Sequence, residues 1–169
     1  MRVRRLEPAD DRSGFSCGNV ELDRFFRQYA GQNQFRHHLG TTYVAVDQDD
    51  RIAGFATVSA TEVLSERIPL AMKKRLPRFP LPALRLARLG VDARMSGRGV
   101  GRMLVASVLQ LARELSESVG CVGVVVDAKS EAIEFYETIG FIRLETLSGE
   151  LGDRPVSTAL FLPLSAIPR

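Results

Sequence analysis

Three glycines at alternate positions, between an apolar run and an amphipathic one, are the chemically most informative feature of the 169-residue sequence. The apolar run resembles a strand and ends at Asp92, and the amphipathic stretch has the spacing of a long helix. The glycines of the intervening loop are Gly97, Gly99 and Gly101. Without side chains, they let the main chain approach an anion closely, and a helix N-terminus adds about half a positive charge there. The spacing therefore predicts a strand, a phosphate-binding turn and a helix.

The residues that follow this loop exclude two common phosphate sites. A nucleotide-triphosphate loop needs Lys-Ser or Lys-Thr after its last glycine, where this chain has Arg102-Met103. A dinucleotide fingerprint needs G-x-G-x-x-G and an acidic residue roughly twenty residues later, but position 121 is Cys121. A tight strand-helix turn without any ligand is the structural alternative.

Two motifs in one order resemble the GNAT acetyltransferase superfamily. They are the glycine motif of Leu89–Leu104 and the sequence A-x-x-F-Y-x-x-x-G-F of Ala132–Phe141. The resemblance extends over most of the chain and implies an α+β GNAT fold with acetyl-CoA as cosubstrate. We expect a central, mixed, twisted sheet of about six to seven strands with helices on both faces. The chain length favours a single domain over residues 1–169.

The resemblance assigns the coenzyme to two neighbouring segments. Backbone groups of Leu89 and Val91, on either side of Gly90, would bind the pantetheine arm and polarise the thioester carbonyl. The pyrophosphate would lie on the residues of the loop and helix start: Gly97, Arg98, Gly99, Val100, Gly101 and Arg102. Ser96 stands where the family usually has Gln or Arg, so one polar contact is missing. A β-bulge is the structural alternative for Gly90.

Tyr136 is the predicted catalytic residue. Acyl transfer to an amine leaves a thiolate, with a reference pKa of about 8.5, and a tyrosine hydroxyl of pKa about 10 can protonate it. The resemblance implies this role, whereas helical spacing alone favours a core aromatic. The sequence offers Glu62 as a candidate base, while the adjacent His37 and His38 suggest a solvated pair. Cys17 and Cys121 have no metal-ligand spacing, so we expect no metal.

The chain has a net charge of +3, and its excess of basic residues lies in the middle of the sequence. From Arg67 to Arg102 there are ten Lys or Arg residues and one acid, Asp92. Such a block favours a polyanionic partner, and ten charges exceed the need of one coenzyme. Candidate contacts to a nucleic-acid substrate are Lys73, Arg78 and Arg85. A solvated, arginine-rich surface is the alternative.

The N-terminal sequence F-x-C-G-N-x-E-L-D-R-F-F, Phe15–Phe26, resembles the toxin branch of GNAT enzymes. This implies acetylation of the amino group of aminoacyl-tRNA, which blocks translation, and a ribbon-helix-helix antitoxin as partner. It also favours a homodimer. Two alternatives stay open: an acetyltransferase for small amines such as a polyamine, an antibiotic or a metabolite, and a non-catalytic acyl-CoA-binding module.

Hydrophobic periodicity predicts the elements that would position these residues. Strands are expected at Val3–Leu6, Thr41–Val46, Ile52–Ala60, Leu84–Val91, Val122–Val126, Phe141–Leu144 and Val156–Leu162. Helices are expected after an Asn19 cap, over Gln32–His38, over Arg102–Val119, and between a Ser130 cap and Gly140. No apolar run is long enough for a membrane span and the N-terminus lacks a signal-peptide core, so we expect a cytoplasmic protein.

Overall fold

A mixed β-sheet of seven strands runs through the part of the chain that the structure describes, and the class is α+β, as predicted. This computed structural model describes residues 1–69, 77, 80–145 and 157–167. The strands β1 to β7 are Arg2–Arg5, Thr41–Val46, Ile52–Val63, Leu81–Val91, Gly123–Ala128, Ile142–Arg143 and Thr158–Pro163. Their order in the sheet is β1-β2-β3-β4-β5-β7-β6. The helices α1 to α4 are Val20–Arg24, Ala30–Phe35, Val100–Ser118 and Ile133–Ile139.

The chain forms two compact units. The first contains Met1–Ser59 and Leu86–Val108, and the second contains Ala60–Arg85 and Leu109–Arg169. Each unit has its own cluster of buried apolar side chains. The assignment of residues 1–169 to a single domain stays a prediction.

The first unit is built on antiparallel strands and an aromatic core. Strand β2 pairs antiparallel with both β1 and β3, and its register shifts between Ala45 and Val46. The ring of Phe26 stacks on that of Phe55 with 4.3 Å between centroids, and Phe15 meets both rings edge-on. Such pairs add to the free energy gained by burying the rings.

The helical region after residue 19 differs from the prediction of two separate helices. A π-helical segment, Phe25–Tyr29, joins α1 directly to α2. The Asn19 side chain accepts a hydrogen bond from the backbone N–H of Leu22, which confirms the predicted cap. The second helix ends at Phe35 instead of continuing to His38, whose φ of 53° is incompatible with a helix.

The second unit contains two further antiparallel pairs. Strand β7 pairs antiparallel with both β5 and β6. Its core consists of Val63, Ile68, Leu81, Ala83, Val125, Leu144 and Phe161. Strand β4 begins earlier than predicted and includes Pro82, whose carbonyl accepts a hydrogen bond from the backbone N–H of Val122. The predicted strand start at Val156 lies outside the described residues.

Two predictions about the later helices are wrong. Ser130 does not cap α4, because it belongs to a short 3₁₀ turn in which its hydroxyl bonds to Glu131. The helix predicted over Arg102–Val119 spans Val100–Ser118, so Val119 lies beyond its end and is 84% exposed, and Gly120 then terminates the turn with a φ of 123°. No helix within the described ranges has the length and apolar content that crossing a bilayer requires.

Gly123 is expected to tolerate no side chain. A Cβ there would lie 2.2 Å from the carbonyl oxygen of Leu162 and 2.7 Å from the ring of Phe161. Because the partner strand would have to shift, Gly123→Ala should lower the free energy of unfolding by about 1–3 kcal/mol. Gly14→Ala is the matched control, since a Cβ there meets nothing within 4 Å. Chemical denaturation measures both, and equal stability of the two variants would contradict this packing.

Candidate functional site

The end of β4 is fixed by the buried carboxylate of Asp92. This carboxylate accepts hydrogen bonds from the backbone N–H of Ser16 at 3.4 Å and from the backbone and guanidinium of Arg94 at 2.9–3.0 Å. The backbone N–H of Asp92 donates to the carbonyl of Ala53 on β3, and that of Ala93 donates to the carbonyl of Ser16. Three segments of the first unit therefore meet at this residue.

The backbone of the loop that follows has the shape of an anion site. Gly97 and Gly99 both have φ of 78°, a left-handed conformation that glycine adopts without strain. Ordinary and left-handed residues in alternation turn successive N–H groups toward one side. The carbonyl of Gly99 accepts the first helical bond, from Met103. Within the described residues, the N–H groups of residues 98–101 have no hydrogen-bond acceptor.

The charges around this loop also favour an anion. The first turn of α3 contains no acidic residue, and both Arg98 and Arg102 are exposed. Cations at a helix N-terminus are unfavourable unless an anion offsets them. Arg94 has a different role, because its guanidinium is bound to Asp92. The loop can therefore bind a phosphate or pyrophosphate through its amides, with arginines at its border.

Two further glycines keep the helix and the strands close together. A Cβ on Gly90 would lie 2.7 Å from the Phe55 ring, and one on Gly54 would lie 3.0 Å from side-chain atoms of Val100 and Leu104. Gly54 therefore lets the start of α3 pack closely on β3, and Gly90 lets β4 approach the Phe55 ring of β3. The predicted pantetheine segment is part of β4: Leu89, Gly90 and Val91. Close packing against Phe55 is a structural reason for Gly90 that sequence reasoning did not identify.

Tyr136 is a buried residue of α4 in the second unit, 5% exposed. Its ring meets Phe135 and Phe141 edge-on, with centroid distances of 5.0 and 5.4 Å. Its hydroxyl has no hydrogen-bond partner within the described part of the chain. Burial raises the pKa of Tyr136 above its ordinary value, so the hydroxyl keeps its proton. A protonated, unpartnered hydroxyl can donate to a substrate atom.

The structure describes one of the three residues that were predicted to contact nucleic acid. Lys73 and Arg78 lie outside the described residues. Arg85 is described, and its guanidinium pairs with Asp127 at 2.8 Å. The pair is partly exposed, so it offsets some of the charge of Arg85 without removing its N–H donors from solvent. The role of all three residues in binding stays a prediction.

The structure does not single out a general base. Glu62, His37 and His38 are all exposed, as sequence reasoning expected for the histidines. Among the described residues, no cluster of three or more His, Cys, Asp or Glu could hold a metal ion.

Asp92 and Gly54 are the site residues that sequence reasoning missed. The sequence contained one signal for Asp92, because it is the single acidic residue between Arg67 and Arg102, a segment with ten Lys or Arg residues. Its partner Ser16 is 76 residues away in sequence, so no local pattern reveals the contact. Gly54 lies inside a strand, where an isolated glycine marks a close approach of another segment.

The comparisons with known proteins agree with this geometry. Residues 4–141 match the acetyltransferase (GNAT) family. A tRNA-acetylating toxin from Mycobacterium tuberculosis (strain ATCC 25618 / H37Rv) is 30% identical over 139 residues, which cover 82% of each chain. The structure of AtaT complexed with acetyl-methionyl-tRNAfMet has a TM-score of 0.84 and 25% identity, covering 98% of this chain and 96% of that one.

A second similar structure is a tyrosine-to-phenylalanine mutant of AtaT bound to the C-terminus of the antitoxin AtaR and acetyl-CoA. Its TM-score is 0.77 at 26% identity, with 98% of this chain and 94% of that chain covered.

Asp92→Asn is expected to destabilise the protein by about 1–3 kcal/mol at pH 7, since it weakens hydrogen bonds to a buried carboxylate. The side chain of Arg94 is the main cause that lowers the pKa of Asp92 below 3.8. A carboxyl with a lowered folded-state pKa contributes stability above its ordinary pKa, and that contribution is lost as pH falls through the folded value. The difference between wild type and variant should therefore shrink below about pH 4.

Denaturant unfolding at several pH values between 7 and 3 measures this difference. Asp49→Asn is the control, because Asp49 is exposed, and it should change stability by less than about 0.5 kcal/mol throughout. An Asp92→Asn effect of the same size at pH 7 and pH 3 would show that the carboxylate charge does not stabilise this site.

Proposed function

The chain belongs to the GNAT acetyltransferase family, and from this premise we propose that it acetylates the amino group of aminoacyl-tRNA and thereby blocks translation. It is an acetyltransferase that uses acetyl-CoA. The observation that carries the proposal is the glycine loop of the first unit, where N–H groups without an acceptor among the described residues lie beside exposed arginines and suit a pyrophosphate. The names of the similar proteins support tRNA as acceptor.

In this proposal the coenzyme is bound by two adjacent segments of the first unit. Its pyrophosphate lies on the amides of residues 98–101, and the side chains of Arg98 and Arg102 add charge attraction. Its pantetheine arm lies along residues 89–91 of β4. A backbone N–H in that segment stabilises negative charge as it develops on the thioester oxygen. The hydrogen bonds of Asp92 hold both segments in place before the coenzyme binds.

The chemical step forms an amide C–N bond and breaks the thioester C–S bond. The attacking amine must be neutral, and an α-amino group has a reference pKa of about 7.7–8.0, so a substantial fraction is neutral near pH 7.5. An aminoacyl acceptor therefore needs no strong base, and its proton passes to solvent. Alkylamines, with a pKa of about 10.4 as in lysine, would depend on a base much more strongly.

We assign the second proton transfer to Tyr136. The leaving sulfur of coenzyme A departs as a thiolate and takes the proton of the tyrosine hydroxyl. Burial keeps this hydroxyl protonated and no described group competes for it. The tyrosine then recovers a proton from solvent. The tyrosine-to-phenylalanine mutant among the similar structures is consistent with this role.

The proposal includes the partners of the protein. We propose a ribbon-helix-helix antitoxin, a homodimer and a cytoplasmic location. A similar toxin is bound to the C-terminus of its antitoxin, which supports an antitoxin here. The basic residues between 67 and 102, among them Arg85 and the residues Lys73 and Arg78, would contact the phosphates of tRNA.

Tyr136→Phe is expected to lower kcat at least about 100-fold, because the thiolate loses its proton donor. Its dissociation constant for acetyl-CoA should stay within about twofold, since it removes only one hydroxyl. Transfer from labelled acetyl-CoA to an aminoacyl-tRNA pool, with a polyamine as second acceptor, measures the rate. Tyr29→Phe, at an exposed tyrosine, is the matched control and should act like wild type.

Two outcomes would count against these assignments. Label on the polyamine but not on tRNA would identify a small-amine acetyltransferase. Full activity of Tyr136→Phe would make Tyr136 a core aromatic and leave the proton donor unassigned.

A further inference from the structure

A cavity of about 210 Å³ in the first unit takes no part in the coenzyme site. Its walls include Phe25, Asn33, Gly40, Thr57, Ser59 and Arg88. It holds more than ten times the roughly 10–15 Å³ that one water needs. Arg88 directly precedes Leu89 in β4, so the cavity lies beside the strand segment that we assign to the pantetheine arm.

Arg88 brings an uncompensated positive charge to this cavity. Its guanidinium carbon lies 3.8 Å from the centroid of the Phe25 ring, as in a cation–π contact. Among the described residues it has neither a carboxylate partner nor a hydrogen-bond acceptor. Loss of hydration lowers the pKa of Arg88, and no acid opposes this shift. With one face on the ring, the planar group keeps its N–H donors at the edge.

An irregular helical turn positions the Phe25 ring that contacts Arg88. The π-helical segment begins at Phe25, and its wider turn closes where the N–H of Ala30 donates to the carbonyl of Phe25. Such segments are rare and occur frequently at functional sites. Both Phe25 and Ala30 line the cavity. The irregular turn thus positions the ring that supports the guanidinium.

Some of the other polar side chains of the cavity already have hydrogen-bond partners, and others do not. The hydroxyls of Thr42 and Thr57 bond to each other at 2.7 Å, so each already has a partner. Within the described residues, the side chains of Asn33 and Ser59 have no partner. Two neutral donors therefore accompany one cation, and none of the described residues that line the cavity is acidic.

We propose that this cavity is an anion-binding subsite for the acceptor, in which Arg88, supported by Phe25, binds a carboxylate or phosphate group. The fork of donors on a guanidinium matches both groups in a bidentate manner. The inference rests on the proposed function, because the acceptor is taken to be aminoacyl-tRNA. Such an acceptor offers the anion from two sources: the side chain of an acidic amino acid, or a phosphate near the 3′ end. A polyamine would be repelled by Arg88.

The first test does not depend on acetyl transfer. The Nε–H resonance of Arg88, identified by its absence in Arg88→Lys, is followed by NMR during titration with inorganic phosphate and with acetate. A saturable shift in at least one titration is expected, while the resonance of the exposed Arg24 should not saturate. If neither anion shifts Arg88 saturably, the subsite is refuted. If Arg88 responds but no aminoacyl-tRNA is acetylated, the subsite stands and the proposed function fails.

The second test distinguishes the two sources. For a side-chain carboxylate, kcat/KM should favour Glu-tRNA over Gln-tRNA about tenfold or more, and Arg88→Met should abolish that preference. For a tRNA phosphate, Arg88→Met should lower kcat/KM about 10- to 100-fold for every aminoacyl-tRNA, but not for an aminoacyl ester without phosphate.

Three variants make this test specific. Arg24→Met is the matched control for the loss of an arginine and should leave kcat/KM unchanged. Arg88→Lys keeps the charge, so it should recover part of the activity that Arg88→Met loses. Unchanged kcat/KM of Arg88→Met on all acceptors would overturn the proposal.

Discussion

The buried carboxylate of Asp92 is the constraint on which the first unit depends. It joins the N-terminal loop at Ser16 to the turn at Arg94, and its own backbone N–H fixes the end of β4 to β3. A buried carboxylate is costly unless its oxygens are hydrogen-bonded, and here they accept four such bonds. The loop that follows therefore starts from a fixed point, and its glycines can hold their left-handed conformations in a defined orientation.

Close packing complements this anchor. Gly54 leaves no space for a side chain, so the start of α3 lies directly against β3, and Gly90 leaves none against the ring of Phe55. The positive end of the helix is then held at the loop, where the N–H groups of residues 98–101 have no acceptor among the described residues. On the other side of the same strand, Arg88 rests on Phe25 at the edge of a cavity. One strand thus carries groups for the coenzyme and, in our proposal, for the acceptor.

Sequence reasoning predicted what depends on local patterns. The regular apolar spacing gave strands β2 and β5 to within two residues, α3 as the longest helix, and the Asn19 cap. It failed where distant contacts decide the conformation. The π-helical segment places Phe25, whose packing partners are distant in sequence. The start of β4 depends on the hydrogen bond between Pro82 and Val122, and the role of Asp92 depends on its contact with Ser16. The stacking of Arg88 on Phe25 joins residues 63 positions apart, so no motif could reveal it.

The affinity of two glycine variants for acetyl-CoA tests the central claim, that loop amides bind the coenzyme. Gly99 and Gly120 both have positive φ, so alanine strains the backbone at both positions, and at Gly120 the more, but only Gly99 lies in the proposed cradle. Calorimetric titration should give a Kd at least about tenfold higher for Gly99→Ala, and within about twofold of wild type for Gly120→Ala. An equal Kd for wild type and Gly99→Ala would contradict the claim, because an alanine there would obstruct a bound pyrophosphate.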